Sequence, residues 1–554
     1  MWATYRKLAD SSSIVSSTWV PILLLLTVYF LLSCWSLSLP GLEYDEVLFA
    51  NAALGHLDET FIAYELKLGT LRLPLMLMNY IGALKAYIYF PVFEIFPISP
   101  VTTRLPAILI GAISLLAAYL ALLQLANRRV AFWVGSLIAT DPSFIFHTRI
   151  DVGPTVLMMF LKTTSLLAFI KFCRTRQSSF LALGSFLIGL GVFDKANFLW
   201  YVVGLLLASL VVWHKRVPEY LTVRNLLIFS FFVILGSLPL IYYNLVTGGG
   251  TFKDRIFLPE DFSVSFKTRT ALLIETINGS GLYKFANGLK PVGCIEALTS
   301  FWPGTVTPWV IAGSTLFSLL RSRIKAGLAN PIGMFFALLF MVIVVEIYLT
   351  RLPVGWHHFM MLWPFHYMAL GVFLLQPEHN ESVPAERLVT SRPVVSRNLP
   401  VALLICVIAS NLIVDGTYLR SFSKEGGRGF FSDAIYQLAE HALESTDQRF
   451  LLMDWGFSTQ LLLLSRGSIK KEELFWELVT AGNEEQKLSD LRKRAIQPNN
   501  LFLFRSSPYT VFEKPRELFE RMLGRYKLRS ETVKVFFHRR GDPAFVLVRV
   551  RPTD

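Results

Sequence analysis

Charge is scarce in this chain. Only 17% of its 554 residues are Asp, Glu, Lys or Arg, against 53% hydrophobic and 14% aromatic. A soluble globular domain carries about a quarter charged residues, so with a mean hydropathy of +0.49 the default is a polytopic membrane protein. Cysteine is nearly absent. Cys34, Cys173, Cys294 and Cys406 stand far apart with no CxxC or Cys/His spacing, which suggests neither a disulfide framework nor a zinc site. Acids are the minority sign, 40 against 53 bases, for a formal charge of +13. The bases fall in short clusters between apolar runs, where they orient a membrane protein, so nucleic acid is not an expected partner. Internal repeats and low-complexity tracts are also missing.

What is abundant is long apolar runs. About 20 such residues span a bilayer as helix. Eleven runs qualify, near residues 19–38, 101–126, 130–146, 152–171, 179–193, 197–213, 225–245, 302–320, 331–350, 359–376 and 399–416. The first is followed by acids rather than a small-residue cleavage site, so it is expected to be a retained anchor. Lys and Arg gather at alternate connections: Arg6/Lys7, Arg128/Arg129, Lys171/Arg174/Arg176, Lys215/Arg216, Arg321/Arg323/Lys325 and Arg387/Arg392/Arg397. This places the N-terminus inside and puts the loops 39–100 and 246–300, and everything after 417, on the outer face. Residues 60–97 are apolar but broken by charges and prolines, which suits juxtamembrane helices lying along the interface. After 417 the apolar runs shorten: FLLMDW, LFLFRSS and PAFVLVRVR alternate like strands, while DAIYQLAEHALES and PRELFERMLGRY look like amphipathic helices. The expected architecture is a mostly α transmembrane bundle over 1–417 with a soluble α/β domain over 418–554.

Ionisable groups at membrane depth are costly and repeatedly mark functional sites. They collect here at outer helix ends. Residues 41–51, GLEYDEVLFAN, carry Glu43, Asp45 and Glu46 directly behind an apolar run. Such a cluster is either a solvated acidic loop or a source of a general base whose pKa is raised by desolvation and like charge; the residues alone leave both readings open. Further sets are His147, Arg149 and Asp151 in FIFHTRIDVGP, where an interfacial ion pair is the plain alternative; Lys67 and Arg72; Asp194 with Lys195; and Trp356-His357-His358. Lysines in such places also merely snorkel, and two adjacent histidines are weak evidence of a metal. Carboxylates from one loop and cations from several would meet in one cavity if the helices bundle. That suits transfer from a lipid phosphate, a leaving group that needs charge stabilisation more than a general acid.

These motifs, in this order, resemble the polyprenyl-phosphate-dependent glycosyltransferases of the GT-C superfamily, and within it glycosyltransferase family 39 with its protein O-mannosyltransferase, lipid A aminoarabinose transferase and rhizobial galacturonosyltransferase types. The resemblance covers residues 15–375 and rests on YDEVLFANAALG, the K-x4-R-x-PL of Lys67, Arg72, Pro74 and Leu75, TTRLPAIL, the turn HTRID, the lysine of GLGVFDKANFLW, and WHHFMMLWP. It implies an inverting transferase that moves a sugar from a polyprenyl-phosphate donor to a hydroxyl of a lipid, glycan or protein. Asp45 would be the base, with Glu46 beside it and Asp151 as the turn acid. Lys67, Arg72, Arg149, Lys195, His357 and His358 would hold the donor phosphate. Leu48-Phe49 departs from the Arg-Tyr of many relatives, which removes one expected cation; Arg72, Arg149, a histidine, Lys253 or Arg255 could replace it. No metal is required by this scheme, although the acidic pair leaves room for a divalent cation. A lipid or glycan transporter and a catalytically idle scaffold are the rival classes. The chain ends without an endoplasmic-reticulum retrieval signal, so the expected location is a bacterial inner membrane with the site facing the periplasm.

Overall fold

The computed structural model describes residues 13–57, 61–69, 71–253, 266–288, 304–314, 330–350, 354–376 and 394–553. Its first part is helical: α1 (Ser13–Ser33), α2 (Leu48–Ala53), α3 (Ala86–Ile95), α4 (Pro100–Leu125), α5 (Arg128–Ala139), α6 (Pro142–Arg149), α7 (Thr155–Thr175), α8 (Ser178–Asp194), α9 (Leu199–Trp213), α10 (Val223–Thr247), α11 (Phe266–Ile277), α12 (Ser280–Ala286), α13 (Pro331–Leu349), α14 (Trp356–Phe359), α15 (Phe365–Leu375) and α16 (Val394–Glu425). Among the described residues, seven helices are long and apolar enough to cross a membrane, and Trp19–Ser33, Ala86–Ile95 and Ser178–Asp194 are shorter apolar helices. The protein is an integral, multi-pass membrane protein.

The differences from the expected spans have local causes. The run 130–146 is cut in two because Asp141 caps a new helix, its carboxylate accepting from the Phe144 N–H, with Pro142 at the first helical position. The run 302–320 is described only over residues 304–314. The last span does not stop near 416 but continues as helix to Glu425. Starts are marked by side chains that satisfy orphan N–H groups: Ser99 with Thr102 forms a capping box on α4, and Asn127, Thr222 and Asn330 cap α5, α10 and α13.

The stretch expected as juxtamembrane helices is corrected in its first half. Residues 64–82 form an antiparallel sheet of β1 (Tyr64–Leu68), β2 (Leu71–Met78) and β3 (Ile81–Gly82); only α3 is helical. The segment YELKLGTLRLPL alternates on either side of Gly69, a period of two rather than 3.6.

Helices α8 and α10 cross at facing glycines. A Cβ on Gly236 would lie 2.3 Å from the Phe186 carbonyl oxygen, and one on Gly189 2.2 Å from that of Val233. Small residues allow such backbone approach between membrane helices. Gly236→Val is therefore expected to cost about 1–3 kcal/mol, read as a lower midpoint of thermal unfolding in detergent than that of Gly416→Val, whose site has no neighbour within 4 Å among the described residues.

After α16 the chain forms a mixed five-stranded sheet in the order β5-β4-β6-β8-β7, from β4 (Arg449–Leu452), β5 (Lys470–Glu473), β6 (Asn500–Arg505), β7 (Leu528–Phe537) and β8 (Pro543–Pro552). Strand β4 pairs in parallel with β5 and β6, and β8 runs antiparallel to β6 and β7. Alternation along β4 sends Phe450 and Leu452 to one face, with α17 (Ala434–Glu444) and α18 (Ser458–Leu464). Leu451 and Met453 go to the other, with α19 (Phe475–Val479), α20 (Glu484–Ala495) and α21 (Glu513–Tyr526). The strands and helices expected from the sequence are all present; β5, KKEE, lacks an apolar signal.

Candidate active site

The acidic loop is built by two of its own carboxylates. Glu43 Oε2 accepts from the N–H groups of Asp45 (2.7 Å) and Glu46 (3.2 Å), and Glu46 Oε2 accepts from the Glu43 N–H at 3.1 Å. Arg104, in the first turns of α4, locks the arrangement. Its Nε donates to Glu46 Oε1 at 2.6 Å, Nη2 to Glu46 Oε2 at 2.9 Å, and Nη1 to the carbonyls of Leu37 and Pro40. All three side chains are buried. Glu46 is thus a positioning group and not the reacting neighbour expected from the sequence, because a bidentate arginine already occupies its carboxylate. Glu43 is buried as well, and its carboxylate holds the loop's own N–H groups.

What the loop presents is Asp45. It is half-buried, and among the described residues its carboxylate makes no hydrogen bond or ion pair. Burial raises its pKa above the usual carboxylate value, while the charges of Lys195 and Lys85 pull it down.

Lys195 follows α8 and is fixed by its backbone: it forms a β-bridge with Ile81, and the next N–H donates to the Tyr80 carbonyl at 3.1 Å. Its buried ammonium has no hydrogen-bonding partner among the described residues. Burial pushes its pKa down to about 8 against the opposing pull of Asp45, Asp194 and Asp151. Asp194, beside it, is fully buried, and neither of its oxygens has a hydrogen-bonding partner among the described residues. Asp151 pairs with a residue that sequence reasoning passed over. Lys85 Nζ lies 2.7 Å from Asp151 Oδ2 and donates to the carbonyls of Gly153 (2.7 Å) and Asp151 (3.2 Å). Its ammonium also sits 5.0 Å from the Phe49 ring centroid, a cation–π distance. Phe49 is where the sequence breaks the family pattern; the structure fills that place with an aromatic platform under a lysine. The available signal was a lone lysine in the apolar GALKAYIYF.

The other predicted residues divide. His357 and His358 are half-buried, with ring centroids 4.0 Å apart, and both feel the charge of Lys195. His358 Nδ1 accepts from the Gly355 N–H at 3.0 Å, so its Nε2 carries the proton of the neutral ring. Arg149 is corrected: it is buried and spends its guanidinium on the carbonyls of Leu32, Ser33, Trp35, Ser36 and Leu39, closing the end of α1. It cannot hold a donor phosphate from there. Lys67 and Arg72 face each other near the tip of the β1–β2 hairpin, exposed and outside this cluster. Lys253 is exposed beyond α10 and donates to the Thr247 carbonyl; Arg255 lies outside the described residues. Asn278 is buried, its side-chain oxygen accepting from the Ser280 N–H.

The C-terminal domain closes on the same loop. Gly41 N–H donates to the Phe431 carbonyl (2.8 Å), Thr459 Oγ1 to the Tyr44 carbonyl (2.9 Å), and Asn51 Nδ2 to the Thr459 carbonyl (2.8 Å). The Tyr44 and Trp455 rings pack 4.7 Å apart. Buried Arg505 ties the domain's own 429–456 region together through the carbonyls of Gly429, Trp455 and Gly456.

A polytopic helical domain with an acidic loop after its first helix, cations at neighbouring helix ends and a smaller α/β domain packed on that loop make a fold shared with solved structures. The structure is similar to that of ArnT from Cupriavidus metallidurans in the apo state, with TM-score 0.59, 11% identity, and 97% of this chain and 98% of that one covered. ArnT bound to undecaprenyl phosphate gives TM-score 0.55, 12% identity and the same coverage. An Archaeoglobus fulgidus oligosaccharyltransferase tethered with an acceptor peptide gives TM-score 0.50 at 12% identity, with 94% of this chain and 74% of that one covered. No family model and no curated protein matches the chain.

Proposed function

We propose that the protein is an inverting, membrane-embedded glycosyltransferase that moves a sugar from a polyprenyl-phosphate donor to a hydroxyl acceptor on the outer face of the membrane. The observation that carries this reading is Asp45: a half-buried carboxylate fixed by a buried loop and flanked by two lysines, in which neither the carboxylate nor the Lys195 ammonium has a hydrogen-bonding partner among the described residues. Similar folds support the donor class, one of them solved with undecaprenyl phosphate bound.

The chemistry follows from charge. Asp45 takes the proton of the acceptor hydroxyl as that oxygen attacks the anomeric carbon. The bond from that carbon to the phosphate oxygen breaks, its electron pair stays on the phosphate, and the configuration inverts. Lys195, with His357 and His358 alongside, stabilises the charge of the departing lipid phosphate. Lys85 and Asp151 neutralise each other and hold the floor of the site. Nothing in the step calls for a metal, so treatment with a chelator is expected to leave the rate unchanged.

Two ionisations set the pH dependence. The base must be ionised, so the rate rises as pH climbs through the raised pKa of Asp45. Lys195 must be protonated, so the rate falls as pH climbs through about 8. A rate that stays flat across that value removes Lys195 from charge stabilisation. The reaction class is tested by mass spectrometry of lipid and glycan pools from cells with and without the protein: one sugar-bearing species should appear as its lipid-linked donor declines. A labelled lipid that crosses the membrane with no covalent change to any acceptor would replace the transferase with a transporter.

A further inference from the structure

The β1–β2 hairpin is half packed and half bare. At its base Met76 is fully buried with Phe193 and Tyr243, and Tyr64 packs against the rings of Tyr242 and Tyr243 at the outer end of α10. Beyond Leu66 the arm projects from the protein and turns at Gly69, whose φ of +63° suits a residue without a side chain. Register sorts this arm into two faces. Leu66 opposes Leu73 and Leu68 opposes Leu71, while Lys67 opposes Arg72 on the other face. Leu68 is 54% exposed and the Arg72 side chain 68% exposed. The nearest acid to Arg72 is Glu65 at 3.9 Å, and Lys67 has no ion pair among the described residues.

We propose that this arm is a membrane anchor, with its leucine face seated at the acyl boundary of the outer leaflet and Lys67 and Arg72 on the phosphates of anionic phospholipids. Three features point to that occupant. A two-stranded arm that leaves Leu68 bare near its tip, with Leu66 and Leu73 half-buried behind it, is marginal in water and prone to pairing with other chains, whereas an interface accepts leucines and headgroup cations side by side. The cation pair complements anionic headgroups. The arm is also continuous with lipid-facing surface, since Leu238, Tyr242 and Leu245 of α10 are exposed beside its base. Lys67 and Arg72, which the family pattern assigned to the donor, thereby acquire a bilayer role that does not depend on the transfer reaction.

The test places a nitroxide on Leu68→Cys in a background with the four native cysteines replaced by serine, reconstituted in phosphatidylcholine vesicles with and without phosphatidylglycerol. Position 68 should collide more with oxygen than with a water-soluble nickel chelate, while a label on Ser530→Cys of exposed β7 shows the reverse. Lys67→Glu with Arg72→Glu should shift position 68 towards water in the anionic vesicles. Equal chelate access at positions 68 and 530 overturns the proposal, as does immersion that appears only when polyprenyl phosphate is added. Native mass spectrometry covers failure of the cysteine-free chain to insert: wild type should retain more phosphatidylglycerol than the Lys67→Glu, Arg72→Glu variant, and equal retention counts against the anchor.

Discussion

Replacing Asp45 with Asn lowers the transfer rate by about 10²–10⁴-fold, the range for removing a general base, and leaves the folded protein as stable as the wild type. The two halves of this expectation come from one observation. The Asp45 carboxylate has no partner among the described residues, while its neighbours Glu43 and Glu46 hold the loop through backbone N–H groups and Arg104. Asparagine keeps the shape and gives up the proton acceptor. There is a third readout with a definite sign. The negative charge of Asp45 raises the pKa of Lys195, so any residual activity of the Asn variant should lose its alkaline limb at a lower pH than the wild type. Transfer at the wild-type rate by a correctly inserted Asn variant removes Asp45 from the base role. A large loss of thermal stability would instead make it a structural acid.

Arg104→Met is expected to be the most damaging substitution for folding. It strips the counter-charge from buried Glu46 and leaves the carbonyls of Leu37 and Pro40 without their donor. Breaking one side of a buried ion pair costs about 3–5 kcal/mol. The double variant Arg104→Met with Glu46→Gln removes both charges, so it should recover part of that loss. Thermal unfolding of the two single variants and the double in detergent completes the cycle. If the single Arg104→Met protein melts with the wild type, the pair is not what holds the acidic loop.

Several residues of the candidate site stood out in the sequence because ionisable groups are expensive in a membrane. Asp45 and Lys195 stood out as charges at the ends of apolar runs, and the Arg-Leu-Pro of α4 was noticed as a motif, although its arginine was given no task. The errors share a cause: a charge at membrane depth announces that it has a partner, not which partner. Arg149 looked like a phosphate ligand and proved to bind five backbone carbonyls. Glu46 looked like a reacting neighbour and proved to be held by an arginine 58 residues away. Lys85 was passed over because its signal was one lysine in an apolar stretch, and its partner Asp151 lies 66 residues on. The hairpin was read as helix from its overall hydrophobicity, although its alternation has the period of a strand. In the C-terminal domain the three strands and two helices with clear apolar periodicity were read from the sequence, while polar β5 and the helices α18, α19 and α20 were not.

The contact between Thr459 and Tyr44 spans 415 positions of the chain, and that separation has a temporal meaning. Synthesis proceeds at about 5–20 residues per second, so the acidic loop waits roughly 20–80 s after it emerges before Thr459 exists to receive it. During that interval the N–H of Gly41, the carbonyl of Tyr44 and the amide of Asn51 lack the partners that hold them in the finished protein. A chain that stalls before its last domain therefore carries every charged residue of the proposed centre yet has an unassembled loop, so completing the polypeptide also arms it.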